Sequence, residues 1–285
     1  MAFMALNELD GKVAAVTGAA GGLGRAMALA FAAEGMHLAL ADVDEVGLEK
    51  TRALAGHPDS KIISMRVDVS KADDVNRFAE RAAAELSGIH VVCNNAGVAV
   101  SGPIWETSDA EWQWILGVNL LGVVNGVRAF APRLIAQDEG HVVNTASVAG
   151  LISPPGMGAY CVSKHAVVTL SEALHHDLRE RGSRVGVSVL CPAYVPTGIA
   201  DSERNKPPDL SLSGKSKERL AKEAALKKAV ASGKLSADDV ARAVVAAVKE
   251  NRFYVLTHPG IKGAVRARME DVLEERAPRD PLRLK

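Results

Sequence analysis

Tyr160 and Lys164 stand four residues apart in a stretch with helical periodicity, so their side chains share one helix face. A phenol has a pKa of about 10 and is no base at neutral pH, but a nearby ammonium favours the phenolate. The pair is a candidate proton-transfer site, although a Tyr and a Lys at this spacing are common. Ser147 strengthens it. That residue follows a predicted strand, 141–146, whose carboxyl end faces the crevice where open α/β sheets bind ligands.

A second chemistry-bearing stretch lies near the start. A predicted strand, 12–17, runs directly into Thr17-Gly18-Ala19-Ala20-Gly21-Gly22-Leu23-Gly24, where a helix begins. A glycine-rich turn lets the backbone approach a pyrophosphate, and the helix N-terminus offers free N–H groups and positive potential. The spacing of Gly18, Gly22 and Gly24 differs from the usual G-x-G-x-x-G, but its place between strand and helix supports the same reading. Asp42 follows at the end of the second strand, where a carboxylate can accept a hydrogen bond from a ribose 2′-hydroxyl. That carboxylate would repel a 2′-phosphate, and no Arg or Lys occurs in 41–46. NAD is therefore expected over NADP, with Arg25 the one residue that could soften the preference.

The elements that must position these residues alternate regularly. Near-continuous apolar runs at 12–17, 36–41, 61–67, 89–93, 141–146 and 184–190 read as strands buried on both faces. Between them lie helical patterns at 22–34, 44–55, 71–86, 109–137 and 159–181. Ser70 with Asp73, Ser108 with Glu111 and Ser236 with Asp239 fit capping boxes, and Gly182 suits a C-terminal cap. The expected fold class is α/β: a single Rossmann-type doubly wound parallel sheet flanked by helices. Residues 1–285 are read as one domain with its core at 10–256. The segment 198–233 breaks the rhythm, with Pro207–Pro208 and then a Lys-rich helical run, and reads as a helical lid insertion before the last helix (236–250) and strand (253–256). Residues 277–285 read as a tail.

Composition narrows the function classes. Lys plus Arg number 34 and Asp plus Glu number 34, a balance that gives no footing for nucleic acid or an anionic membrane as partner. The start of the chain does not read as a signal peptide, and no run approaches the ~20 apolar residues of a membrane span. Cys93, Cys161 and Cys191 are scattered and odd in number, which argues against a disulfide framework. A cytoplasmic protein is expected. His175, His176 and Asp177 are sequence neighbours on a helix and point apart, so no metal site is expected there. Trp105, Trp112 and Trp114 are assigned to core or subunit contacts rather than to a pocket.

From about residue 10 to 256 the chain resembles the classical short-chain dehydrogenase/reductase family. The matching stretches are Thr17–Gly24, Asp68-Val69, Asn94-Asn95-Ala96-Gly97, Asn119, Ser147, the Tyr160 and Lys164 pair, and Pro192, Val195 and Thr197. The resemblance implies that Tyr160 exchanges the hydroxyl proton of a substrate whose oxygen Ser147 holds. It implies that Lys164 lowers the Tyr160 pKa and binds the nicotinamide ribose, and that Asn119 positions a water linking Lys164 to solvent. Asp68 and Val69 would contact adenine, Asn95, Ala96 and Gly97 the adenosine ribose side, and Val195 and Thr197 the nicotinamide amide. Ala193 stands where the family usually has Gly, a departure that could reshape the floor near the nicotinamide.

The expected reaction is hydride transfer between NAD and a secondary alcohol or ketone, with no metal. Leu151, Ile152, Pro154, Pro155 and Met157 suggest an apolar pocket wall. The block 112–126 and the Pro192-Ala193 variant are similar to bacterial aryl-alcohol dehydrogenases that oxidise the Cα of lignin dimers, which implies a bulky aromatic alcohol. A hydroxysteroid or 3-hydroxyacyl substrate also fits. From other classes, a methyltransferase would not need Ser147, Tyr160 and Lys164, and an NAD-sensing binding protein would use the fold without turnover. The run 109–137 carries apolar residues on more than one face, which predicts a homodimer contact. In the resembling family that contact lies within a homotetramer.

Overall fold

The computed structural model describes residues 6–56, 60–206 and 215–283; Pro207–Pro208 of the expected lid lie outside them. Among the described residues the strands are β1 (Val13–Thr17), β2 (His37–Asp42), β3 (Ile62–Arg66), β4 (Val91–Asn94), β5 (His141–Thr145), β6 (Gly186–Leu190) and β7 (Tyr254–Val255). They form one parallel sheet in the order β3-β2-β1-β4-β5-β6-β7. The order reverses between β1 and β4, so the connections after these strands leave in opposite directions and open a crevice at their carboxyl ends. Register aligns that edge: Val16 lies beside Cys93, Asn94 beside Asn144 and Thr145 beside Leu190.

The strand sequences are apolar throughout because both faces are covered. On one side, Met27 and Phe31 of α1 (Gly22–Ala33), Leu48 of α2 (Glu45–Ala55) and Val244 and Val248 of α8 (Ala237–Lys249) share a core with Val16 and Leu40. On the other, Phe78 of α3 (Ala72–Leu86), Phe130 of α5 (Gly122–Gln137) and Leu178 of α6 (Gly158–Glu180) pack on Ala15 and Val92. Phe78 meets Phe130 edge to face at 5.9 Å between ring centres.

Two expected capping boxes form, at Ser108 with Glu111 and at Ser236 with Asp239. The third does not. α3 starts one residue later, with Lys71 at its N-cap, because Ser70 donates its hydroxyl to Asp68 at 2.6 Å. Gly182, at φ +72°, ends α6 in a Schellman arrangement: its N–H reaches Arg179 and that of Ser183 reaches Leu178.

The run 109–137 is not one uniform α-helix. α4 (Asp109–Leu116) passes through a π-turn at Gly117–Leu121 before α5 begins. Contrary to the sequence expectation, Asp109–Gln137 is long and apolar enough by composition to cross a membrane; half of its most apolar window is buried inside this fold, as in the core helix of an α/β protein. Two more helices follow β6: α7 (Lys217–Ala231), and after β7 the unforeseen α9 (Ile261–Leu273). Residues 277–283 form no helix or strand, yet Arg279 is tied to the buried Asp271 of α9 through its backbone N–H at 3.0 Å and its Nε at 2.8 Å.

Candidate active site

A cleft of about 660 Å³ runs along the carboxyl edge of the sheet. Gly18, Gly22, Leu23, Gly24 and Asp42 line one end, with Asp68, Val69, Asn95, Ala96 and Gly97 beside them. Ser147, Tyr160, Lys164, Val195 and Thr197 line the continuation. Residues from seven separate stretches therefore meet in one space, as their positions after successive parallel strands require.

The glycine loop is shaped by close approach. Gly18 has φ +68°, and a Cβ there would come within 2.8 Å of the Ala96 Cα, so only glycine lets the loops after β1 and β4 touch. Asn95 locks them together, its N–H donating to Thr17 Oγ1 at 2.9 Å and its side chain to the Thr17 carbonyl at 3.0 Å. At the start of α1, Gly21 offers no side-chain cap and the first turn holds no acid. Its N–H groups are thus suited to an anionic ligand.

Asp42 accepts the Ala20 N–H on Oδ2 at 2.9 Å and the Asp44 N–H on Oδ1 at 3.1 Å. Two backbone donors orient the carboxylate and leave lone pairs for a ligand hydroxyl. Arg25 does not soften this site. Its guanidinium donates to the Ala20 and Gly47 carbonyls, and its Nε to Thr51 at 2.9 Å. These bonds tie it into the packing between loop and α2, outside the cleft lining.

Lys164 is 2% exposed, and its ammonium donates to the Thr145 carbonyl at 2.8 Å and lies 5.8 Å from the centre of the Tyr160 ring. Burial lowers its pKa to about 8. Burial raises Tyr160 to about 12, opposed by a hydrogen bond with Ser147. Ser147 is itself held, accepting the Ala149 N–H at 3.1 Å and donating to the Pro192 carbonyl at 3.3 Å.

Asn119 stands apart from the other expected residues. It is fully buried within the π-turn behind the cleft, where Oδ1 accepts the Val98 N–H at 2.8 Å. Its amide donates to the Val98 carbonyl at 2.9 Å and to Ser163 at 3.0 Å, and Ser163 donates to the Tyr160 carbonyl. A Cβ on Gly97 would lie 3.5 Å from both Asn119 Oδ1 and Lys164 Nζ, so the two polar groups are near neighbours across that glycine.

The rest of the cleft lining includes many apolar side chains, some of them unmarked in the sequence. Ile152, Pro154 and Met157 line it as expected, whereas Leu151 packs into the core and Pro155 is exposed. Trp114, assigned to the core from sequence, also lines the cleft, as do Leu226 and Val230 of α7, Ile261 and Ala264 of α9, and Pro281 and Leu282. None of these carries a local mark of a site in the sequence, since an apolar side chain reads alike whether it faces the core or a ligand. Ala193 needs no left-handed backbone, since positive φ at described non-glycine residues is confined to Ser87, Asp138, Asn251 and Glu275. Its N–H donates to His258 Nδ1 at 3.1 Å, fixing the loop that leads to Val195 and Thr197.

Comparison with known proteins agrees with this geometry. The family model for short chain dehydrogenases matches residues 12–208. A short chain dehydrogenase/reductase from Burkholderia phymatum, solved in complex with NAD, is 50% identical, with a TM-score of 0.94 over 97% of this chain and 99% of that one. A CLA biosynthesis dehydrogenase/reductase from Lactiplantibacillus plantarum is 32% identical across 96% of this chain and 97% of its own length. LigO from Sphingobium sp. strain SYK-6 is 28% identical, with a TM-score of 0.77 over 95% of this chain and 90% of that one.

Proposed function

Because the chain belongs to the short-chain dehydrogenase family, we propose that it is an oxidoreductase moving a hydride between NAD(H) and a bulky, apolar secondary alcohol and its ketone. The observation that carries this reading is the presence of Ser147, Tyr160 and Lys164 in the same cleft as the glycine loop and Asp42.

The residues present fit the dinucleotide. The uncapped start of α1 suits a pyrophosphate, and the doubly anchored Asp42 suits a ribose diol without a 2′-phosphate. Asp68 and Val69 would flank adenine, Asn95, Ala96 and Gly97 the adjoining ribose, and Val195 and Thr197 the nicotinamide amide. NAD, when bound, supplies the acceptor for the hydride leaving the carbinol carbon. Ser147 holds the substrate oxygen, and the Tyr160 hydroxyl group exchanges its proton. Lys164, anchored on Thr145, presents its ammonium to the nicotinamide ribose and to the phenol. Asn119 keeps the wall behind Lys164 in place and relays position to Tyr160 through Ser163.

Trp114, Ile152, Met157, Leu226 and Val230 favour a bulky, aromatic alcohol over a small polar one. NAD in the Burkholderia phymatum complex supports the choice of cofactor. Leu121 and Val162 are each about half exposed near the π-turn and on α6, which supports a homodimer or homotetramer built on these helices. Buried, unpaired Cys93, Cys161 and Cys191 are in keeping with a cytoplasmic setting.

The test follows absorbance of reduced nicotinamide with NAD and then NADP, across aromatic, steroidal, acyl and short polar secondary alcohols. Turnover with NAD on bulky alcohols is the expected result. Bound NAD with no turnover on any class would point instead to a sensing protein.

A further inference from the structure

The Glu111 carboxylate is fully buried in the first turn of α4, and the Arg219 guanidinium of α7 grips both of its oxygens. Arg219 is 5% exposed and also reaches Glu223 at 3.2 Å. Lys206 adds a second cation, 3.4 Å from Glu111 and 5.8 Å from the centre of the Trp114 ring. Burial, the largest single influence, pushes the Glu111 carboxyl up, but the hydrogen bonds from Arg219 and the Ser108 N–H, with the charges of Arg219 and Lys206, together keep the pKa below its ordinary value. The pair is therefore ionised and matched at neutral pH.

Elsewhere α7 is held by exposed polar contacts, among them the Ser216 hydroxyl donating to Glu106 at 2.7 Å and Lys227 paired with Asp201 at 2.9 Å. Along Lys217–Ala231 only Arg219 and Val230 are buried. Leu226 and Val230 fall seven and eleven residues after Arg219, on the same helix face, and both line the cleft. Trp114, three residues after Glu111, lines the same cleft. Behind this wall lies a second cavity of about 280 Å³, ringed by charged side chains and sharing Ala99, Arg204 and Leu226 with the cleft. The wall thus lacks dense packing at its back. Apolar contacts alone would let such a helix slide, whereas a two-pronged ion pair has one geometry.

We propose that the Glu111–Arg219 pair is the positioning device that sets α7 as the far wall of the cleft, and thereby selects substrates by bulk. It rests on the reading above, that the cleft takes a bulky apolar alcohol.

Glu111→Gln keeps an acceptor for the Ser108 cap and removes the charge; Arg219→Met keeps much of the side-chain length. Each variant is expected to raise KM for a bulky aryl alcohol about tenfold while leaving kcat within about twofold. KM for a three- or four-carbon secondary alcohol and the affinity for NAD should stay as in the wild type, the latter reporting an intact fold. The double variant should be no worse than the worse single one, since both remove one device. Hydrogen exchange across 217–231 should quicken in the variants while α1 and α8 stay protected. Equal losses for large and small alcohols, or unchanged KM for both, would overturn the proposal. If the wild type turns over no alcohol, the functional reading falls and hydrogen exchange decides alone: unchanged protection of α7 then overturns the positioning role.

Discussion

Lys164 Nζ donates to the backbone carbonyl of Thr145 at 2.8 Å, tethering the helix that carries Tyr160 to the end of the strand that leads to Ser147. The tether holds the site together independently of the phenol oxygen. Tyr160→Phe should therefore leave the fold and NAD affinity intact while lowering kcat by about 10²–10⁴-fold, the range for loss of a general acid–base group. Calorimetric titration of NAD alongside steady-state rates checks both halves, and retained turnover would remove Tyr160 from the mechanism.

The ionisation of Lys164 sets a pH dependence. Burial places its pKa at about 8 instead of the ordinary 10.5, so the site carries its extra proton below about 8 and releases it above. Alcohol oxidation gives up a proton and ketone reduction consumes one. Oxidation rates should accordingly rise with pH through about 8, and reduction rates fall through the same region, as a property of the Tyr160–Lys164 pair. Rate profiles in both directions test this; a limb near 6, or none between 7 and 9, would contradict the assignment.

In the proposed function Asp42 governs the choice of dinucleotide. Asp42→Asn keeps an acceptor for the Ala20 N–H but removes the charge facing the 2′ position. The ratio of kcat/KM for NAD over NADP should fall by about tenfold or more, with most of the change in the KM values. An unaltered ratio would mean that discrimination arises elsewhere in the cleft.

His141 predicts how the fold responds to acid. It is buried at the start of β5, with Nε2 2.7 Å from Ser188 Oγ, and Ser188 in turn donates to the Arg252 carbonyl. Burial lowers its pKa from 6.5 to about 3. Between those values the unfolded chain binds a proton that the folded chain refuses. Stability from this residue is thus present above 6.5 and is lost as pH falls, by up to about 1.4 kcal/mol per pH unit. Urea midpoints at pH 7 and 5 should differ more for the wild type than for His141→Gln; parallel shifts would exclude this source.

Much of the architecture was readable because its code is local. Buried strands such as Val13–Thr17 and Gly186–Leu190 announce themselves as apolar runs, and Gly182 and Ser236 mark helix ends through the backbone geometry they permit or cap. The π-turn at Gly117–Leu121 was not readable, because its apolar pattern is that of any buried helix. Ser70 misled for a related reason: its hydroxyl had two possible partners, and Asp68 took it.

By itself the sequence determined the alternation of strands and helices and the cofactor end of the cleft, since these rest on short-range periodicity and on residues placed just after strands. Only the tertiary structure decided much of the remaining apolar lining of the cleft. Trp114, Leu226, Ile261 and Leu282 come from four distant segments, and an apolar side chain carries the same local pattern whether it faces the core or a ligand. Likewise, Glu111 and Arg219, 108 residues apart, read as an ordinary helix cap and an ordinary surface cation until folding buries them against each other. Their burial is a property of the assembled chain, because the free energy of each charge depends on whether the other has been brought to meet it.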